Sequence, residues 1–438
     1  MRKLLYLLLC LALFSACKKD KTSDIMPVDV NVKVSYQTET GGYTLPLQNI
    51  SVKIKNVNTG TSQSLTTNAE GKVLFSSVAA GTYDIDATIK ISSDDYRTIT
   101  GIATNTDIVY NASIKNTVIS VGFNGVVELK LLTGNIGDWV IKQVYYAGSH
   151  RNNGATFRDQ FIEFYNNSDK TLYADSLYFA EITGVITSGS SYNLLGNGQM
   201  DWSKAVGMPG NVDANNDYVY ARAVLMIPGT GKQYPVLPGK SIVVAQTAIN
   251  HKSPFTGTDG KVVSVVDPSL TVDLSGADFE AYYAPFLAKP LSSDVDTPAP
   301  NLEVISYFGT DMIFDNPGRY SYILFKADAK TRVKDLPQYP YPTKSTPSST
   351  ATKYYQIPTS LILDAVEVQS NLPDDRNPKK LNASLDAGFT FVPAGSYTSQ
   401  SIIRKTEKTI NGRIVLKDTN NSTEDFDFFN VAIPRGFK

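Results

Sequence analysis

The sequence predicts an all-β protein of two β-sandwich domains, the second carrying long loop insertions and short helices. Three observations predict it. From Val28 the chain alternates at period two, with Val28, Val30, Val32 and Val34 facing one way and Asp29, Asn31, Lys33 and Ser35 the other, the pattern of a half-buried antiparallel strand. The composition sets 25 Tyr and 19 Phe against 2 Trp and 2 His, and aromatic residues suit a pleated surface. Turn residues interrupt the apolar runs at short intervals, as in Asn58-Thr59-Gly60 and at Gly71, where positive φ is expected. The 438 residues suffice for about two or three domains, each with its own core.

The N-terminus reads as a leader. Arg2 and Lys3 precede an unbroken apolar run over residues 4–14, and Ser15-Ala16 supplies the small residues a signal peptidase needs. A membrane span needs roughly 20 apolar residues, so this run is too short for a permanent one. Cys10 and Cys17 are the only two cysteines. A disulfide framework, a thiolate zinc site and a cysteine nucleophile are therefore excluded from the folded part by inventory. Phe14-Ser15-Ala16-Cys17 resembles a bacterial lipobox, with Phe14 in place of the usual Leu. That resemblance implies cleavage between Ala16 and Cys17 and acylation of Cys17, the membrane then being held through lipid. The polar stretch from Lys18 to Asp24 reads as a flexible tether. Lys19-Asp20 partly matches the Lys-acidic stretch associated with surface transport in Bacteroidota lipoproteins. The expected location is the outer membrane, on the cell surface, with the periplasmic face as the alternative.

Ile50, Val52 and Ile54 alternate, Asn58-Thr59-Gly60 makes a turn, and Thr67-Asn68 leads through Gly71 to Val73 and Phe75, with Val78, Gly81 and Tyr83 following. This order resembles the carboxypeptidase regulatory, or transthyretin-like, sandwich family. Further on, Asp138 to Gly148 opens a strand, Phe161-Ile162-Glu163-Phe164-Tyr165-Asn166 begins a second and Thr171 to Phe179 makes a third. Together with Leu237 to Gln246, Ser401 to Arg404 and the acidic turn from Asp418 to Phe426, they resemble a lamin-tail-type immunoglobulin-like sandwich. The whole order resembles a Bacteroidota lipoprotein family catalogued as domain of unknown function 4876. The expected organisation is a signal peptide over residues 1–16, lipidated Cys and tether over 17–27, a transthyretin-like sandwich over 28–133 and a lamin-tail-like sandwich over 137–438. Insertions fall near residues 188–220 and 250–353. Within them residues 274–283 suggest a short helix N-capped by Ser275, and residues 336–353 an irregular loop.

Motifs for chemistry are few. Gly239-Lys240-Ser241 lacks the first glycine of a phosphate loop, since Tyr234 stands there, and it leads into a strand. Asp213, Asn215 and Asp217 begin like a calcium loop, but Tyr218 takes the glycine position and Val224 that of the bidentate Glu. A solvated Asn/Asp turn is the favoured reading, with these three residues kept as metal candidates. Asp294 with Asp296, and Asp418, Glu424, Asp425 and Asp427, offer further carboxylates, the latter group favoured as caps of turn amides. His150 and His251 lie far apart in sequence. No Gly-x-Ser-x-Gly or His-Glu-x-x-His occurs, so no catalytic residue and no cofactor is assigned, and a hydrolase is the minor reading. Lys plus Arg total 41 against 42 Asp plus Glu, which gives no basic field for nucleic acid. Tyr339 and Tyr341, flanked by prolines, could stack on sugars or peptides. The expected role is a non-catalytic ligand-binding or accessory subunit beside a TonB-dependent outer-membrane transporter. The alternative is an adhesion or envelope-scaffold lipoprotein.

Overall fold

The computed structural model describes residues 27–36, 44–100, 107–133, 138–187, 191–327, 331–410 and 412–438. The leader, Ala16, Cys17 and the tether up to residue 26 lie outside the described residues.

The first group of strands comprises β1 (Val28–Tyr36), β2 (Ser51–Asn56), β3 (Ser62–Thr66), β4 (Lys72–Val78), β5 (Gly81–Ile91), β6 (Ile108–Ile119) and β7 (Val126–Thr133). They are hydrogen-bonded in the order β3-β2-β5-β6-β7-β1-β4. β6 and β7 share only the register pairs Tyr110↔Thr133 and Asn111↔Leu132, so the ribbon folds at that seam into two leaves. Val30, Val32 and Val34 of one leaf and Val52, Ile54 and Ile85 of the other fill the space between them. The alternation of the sequence is thus the alternation of burial along β1. β3, polar except for Leu65, is exposed along its length, which suits a sheet edge. Between β5 and β6 runs a helix the strand pattern did not suggest, α1 (Ser93–Thr100). Its start was legible: Ser92 Oγ accepts the Asp95 N–H and donates to Asp95 Oδ2 at 2.6 Å, a reciprocal cap on the first turn of the helix.

Two turn glycines differ in what surrounds them. Gly60 (φ +72°) has open space where a Cβ would stand, whereas at Gly71 (φ +71°) that atom would lie 2.5 Å from the Val34 carbonyl oxygen. Gly60→Ala should therefore cost about 1–2 kcal/mol, the left-handed backbone penalty alone, and Gly71→Ala clearly more, because backbone must move. Urea midpoints of the two variants check this, and equal losses would contradict it.

The second group packs two larger sheets. The first holds β8 (Trp139–Tyr145), β9 (Phe161–Asn166), β12 (Ser241–Ala245), β13 (Phe279–Glu280), β19 (Ser401–Arg404) and β20 (Phe426–Phe429), ordered β13-β12-β9-β8-β19-β20. The other holds β10 (Leu177–Ile182), β11 (Tyr218–Met226), β14 (Glu303–Ser306), β15 (Ser321–Lys326), β16 (Gln338–Pro340), β17 (Lys353–Pro358) and β18 (Ile362–Val366). Its order is β16-β17-β11-β10-β15-β18, with β14 also on β11. Ile141, Ile162, Phe164 and Val244 from the first sheet meet Phe179, Leu225, Tyr322 and Leu324 from the second in one core. The protein is all-β and its sheets pack as sandwiches.

Both outer faces of this sandwich are also covered, so every residue of β8 and β9 is buried. The cover over β8 and β9 includes the C-terminal segment. Lys142 and Glu163, on the outer face, pair at 2.9 Å with neither side chain exposed. The Phe437 ring lies 3.6 Å from Lys142 Nζ, and the Arg435 N–H donates to Glu163 Oε2 at 3.0 Å. Burial pulls the Lys142 ammonium below the usual lysine range while Glu163 opposes that fall.

Two expectations fail in the insertions. Residues 274–283 are not helical: the Asp273 carboxylate takes the Ser275 N–H and hydroxyl at 2.9 and 2.6 Å, making a turn. Phe279, Ala281 and Tyr283 then enter the core at strand spacing. Nor are residues 336–353 all irregular, since β16 pairs with β17 at the sheet edge. No helix among the described residues is long and apolar enough to cross a membrane.

Candidate functional site

The acidic groups noted in the sequence have partners within the chain. Asp213 Oδ1 accepts the N–H groups of Asn215 and Asn216 at 3.3 and 3.2 Å, and its Oδ2 accepts Asn216 Nδ2 at 2.8 Å. Asn215 Oδ1 accepts the Trp202 N–H at 2.8 Å while its Nδ2 donates to Asp201. The Asp217 N–H donates to the Asp213 carbonyl at 3.0 Å. Asp213, Asn215 and Asp217 thus form an Asx-type turn that holds residues 201–202. Among the described residues no three His, Cys, Asp or Glu side chains gather as metal ligands.

Asp294 and Asp296 have separate partners, the Tyr283 N–H at 3.1 Å and Asn301 Nδ2 at 2.9 Å. Burial pushes the Asp294 carboxyl up to about 6. In the closing acidic turn the cation is a side chain. Arg404 reaches Asp364 at 2.6 Å, Asp418 at 3.1 Å and Asp425 at 3.4 Å. Asp425 also takes the Thr419 N–H and hydroxyl at 2.8 and 2.7 Å, and Asn421 caps a short helix, α2 (Ser422–Asp425). Glu424 instead faces the first sandwich, pairing with Lys53 at 2.6 Å. The histidines have separate surroundings. His150, exposed, accepts turn N–H groups from Asn152 and Asn153. His251 is buried beside the Thr247 carbonyl at 3.1 Å, and burial pulls it down to about 4.

The residues that do converge on a cavity come from the first insertion. Asp201 accepts from the Ser203 N–H and hydroxyl and so caps a single 3-10 turn, Trp202–Lys204. The turn lays the Trp202 indole flat on Tyr220 of β11, ring centroids 3.6 Å apart and planes 8° from parallel. Tyr220 is fixed in turn, donating to the Ala214 carbonyl at 2.9 Å and accepting from Gln356 at 3.0 Å. Tyr341 and Tyr354, stacked on each other at 4.3 Å, lie beside the indole at 5.9 and 6.3 Å. Of the Pro-flanked tyrosines, Tyr341 therefore backs the site, and Tyr339 is buried in the same cluster.

In front of this aromatic wall is a cavity of about 120 Å³, whose lining includes Asn197, Gln199, Asn216, Asn382 and Tyr218. Gln199 Nε2 donates to the Lys379 carbonyl at 2.8 Å, and Asn382 Nδ2 to the Asn216 carbonyl at 3.0 Å. These bonds join loops far apart in sequence. Among the described residues no carboxylate lines the cavity; of its two lysines, Lys380 pairs with the fully buried Glu367 at 3.4 Å, and Lys379 donates to the Asp386 backbone carbonyl. Burial pushes the Tyr220 and Tyr341 hydroxyls up, so both stay neutral at ordinary pH. Sequence reasoning did not single out Trp202. One of only two tryptophans, set among Asn and Gly in an insertion, was the available signal.

A family model described as Protein of unknown function (DUF4876) matches residues 237–432. The match takes in Arg404 and the 379–382 side of the cavity and leaves out Trp202 and Tyr220. No curated protein matches the chain. Among solved structures, the crystal structure of a DUF4876 family protein from Bacteroides thetaiotaomicron VPI-5482 is similar in fold. It matches 92% of this chain and 95% of its own length, with 24% sequence identity and a TM-score of 0.50.

Proposed function

We propose that this chain is a DUF4876-type lipoprotein with a transthyretin-like first module and a lamin-tail-like second one. It is anchored through Cys17 to the outer membrane, faces outward, and acts as a non-catalytic binding subunit of a TonB-dependent uptake system. The observation that carries the binding role is the cleft at Trp202, a small polar concavity backed by packed aromatic rings. Among the described residues its lining offers no carboxylate, histidine or activated nucleophile, which favours capture over turnover. The lipobox-like Phe14-Ser15-Ala16-Cys17 supports the anchor, since two or three acyl chains at about 0.8 kcal/mol per buried methylene hold a protein stably.

Crosslinking on native membranes tests this role. Wild-type protein should sediment with the outer membrane and crosslink to an integral outer-membrane protein, whereas Cys17→Ser should move to the soluble fraction and lose that crosslink. Recovery of no outer-membrane partner would remove the uptake reading. A second reading, adhesion or scaffolding, is favoured by the exposed rings of Phe286, Tyr307 and Phe308, 48%, 41% and 48% exposed. It expects a loss of surface attachment on deletion without any uptake defect.

A further inference from the structure

We infer that Lys142 and Glu163 condense to an amide, a covalent rung between β8 and β9 beneath the C-terminal segment. Ile141 lies opposite Phe164, and Gln143 opposite Glu163. Lys142 is therefore the extra residue of a β-bulge, a device that re-aims a side chain. Its Nζ stands 2.9 Å from Glu163 Oε1, with neither side chain exposed. An ammonium has three N–H donors, and Glu163 is the one hydrogen-bond acceptor that Lys142 Nζ has among the described residues. The Phe437 ring lies 3.6 Å from Nζ and packs edge-on against Tyr165 at 5.7 Å, which keeps water off the pair. The other buried Lys–Glu pair, Lys380 with Glu367, is held differently. Glu367 also accepts the Lys380 and Leu381 N–H groups and Gln369 Nε2, so its charge is well supported. Glu163 has one donor besides Lys142 among the described residues, the Arg435 N–H at 3.0 Å from Oε2.

The reaction needs nothing from outside the chain. The Lys142 ammonium passes one proton to Glu163 Oε1, a transfer that burial of the ammonium eases. The amine lone pair then attacks Cδ, forming the Nζ–Cδ bond. Negative charge develops on Oε2, where the Arg435 N–H already points. A second proton leaves the nitrogen for Oε1, the Cδ–Oε1 bond breaks, and Oε1 departs as water. One N–H stays on the amide and Oε2 becomes its carbonyl oxygen, so atoms and charge balance. Holding the two groups in contact replaces a bimolecular encounter, and a neutral amide leaves no buried charge to compensate. No cysteine follows Cys17, so no disulfide can link these strands, and the amide supplies a covalent link in its place. The inference is independent of what the cleft at Trp202 takes.

The test uses the full mature chain, folded, then denatured and digested with trypsin, which cuts after a free lysine and not after an acylated one. Mass spectrometry should show no cleavage after Lys142 and should find the peptides that carry Lys142 and Glu163 joined, at the sum of their masses less one water. The same water is missing from the intact, lipidated chain. Lys142→Arg keeps a cation against Glu163 and removes the amine, so its digest should yield the Glu163 peptide alone at its sequence mass. Phe437→Ala opens the cover and should lower the joined fraction several-fold. Cleavage after Lys142 in the wild-type digest, with both peptides recovered separately at their sequence masses, would overturn the inference whether or not either variant folds. A loss of water that persists in Lys142→Arg would overturn it too, since the loss would then belong to another residue. A joined fraction unchanged in Phe437→Ala would overturn the account of a reaction that depends on excluding water.

Discussion

Arg404→Met should lower the unfolding free energy by about 3–5 kcal/mol, the usual loss when one partner of a buried ionic cluster is removed. The guanidinium, 1% exposed, sits among Asp364, Asp418 and Asp425. Its Nε also donates to the Ile141 carbonyl at 2.9 Å and its Nη1 to the Lys417 carbonyl at 3.1 Å. One side chain thus joins β8, β18, β19 and the closing turn. Burial pushes the Asp364 and Asp425 carboxyls up and Arg404 opposes it. Without the cation the three acids lose that compensation, and the turn that meets Lys53 of the first sandwich loses its backing. Arg404→Lys should recover only part of the loss, because an ammonium cannot reproduce the planar fork. Adding Asp364→Asn and Asp425→Asn to Arg404→Met should recover part as well. Urea unfolding of the variants measures this, and a loss below about 1 kcal/mol for Arg404→Met would mean that the cluster contributes little.

Asp311→Asn should have the opposite sign and depend on pH. Asp311 is buried, accepting from Gln246 Nε2 at 2.5 Å and from the Met312 N–H at 2.7 Å. Burial first, then the negative charges of Asp294 and Glu280, push its carboxyl up to about 8. Because the folded value lies above the unfolded one, near 4, the stability from the neutral acid is fully present below about pH 4. It is lost as pH rises through about 8, at up to about 1.4 kcal/mol per pH unit. Asparagine keeps the oxygen for Met312 and turns an N–H toward Gln246, whose Oε1 has no partner among the described residues. The variant should therefore match wild type near pH 4 and exceed it by a few kcal/mol at pH 8. Asp159, pushed up to about 7 by burial, tilts both proteins alike, so the difference between them is the quantity to read. A difference that does not change between pH 5 and pH 8 would show that Asp311 ionises as an ordinary carboxylate.

What could be read from the chain follows the range of the interactions involved. Alternation along β1, the turns at Gly60 and Gly71 and the reciprocal cap at Ser92 are set by residues within a few positions, and each was visible or open to view. The burial of β8 and β9 on both faces was not, because their outer cover includes residues 435–437, nearly the whole second sandwich away in sequence. Ser275 looked like a helix cap because its competitor, the Asp273 carboxylate, offers the same hydrogen bonds in a turn. The acidic closing turn read as carboxylates capping amides, which Asp425 does, but its central cation was hidden in the apolar-looking strand that carries Arg404. The cleft was least legible of all. Trp202 gains its meaning from Tyr220 and from the 379–382 loop, and the bond from Gln199 to the Lys379 carbonyl spans 180 positions. Asp213, Asn215 and Asp217 drew attention as metal candidates, while their contribution is to hold the turn that presents the indole.

Of the proposed tethered binding protein, the tether is the part most directly open to measurement. Intact-mass analysis of the protein extracted from its native membrane should give a chain beginning at Cys17 and heavier than residues 17–438 by a diacylglyceryl group and an N-linked acyl chain. A mass matching an unmodified thiol, or a chain cut anywhere other than between Ala16 and Cys17, would contradict it.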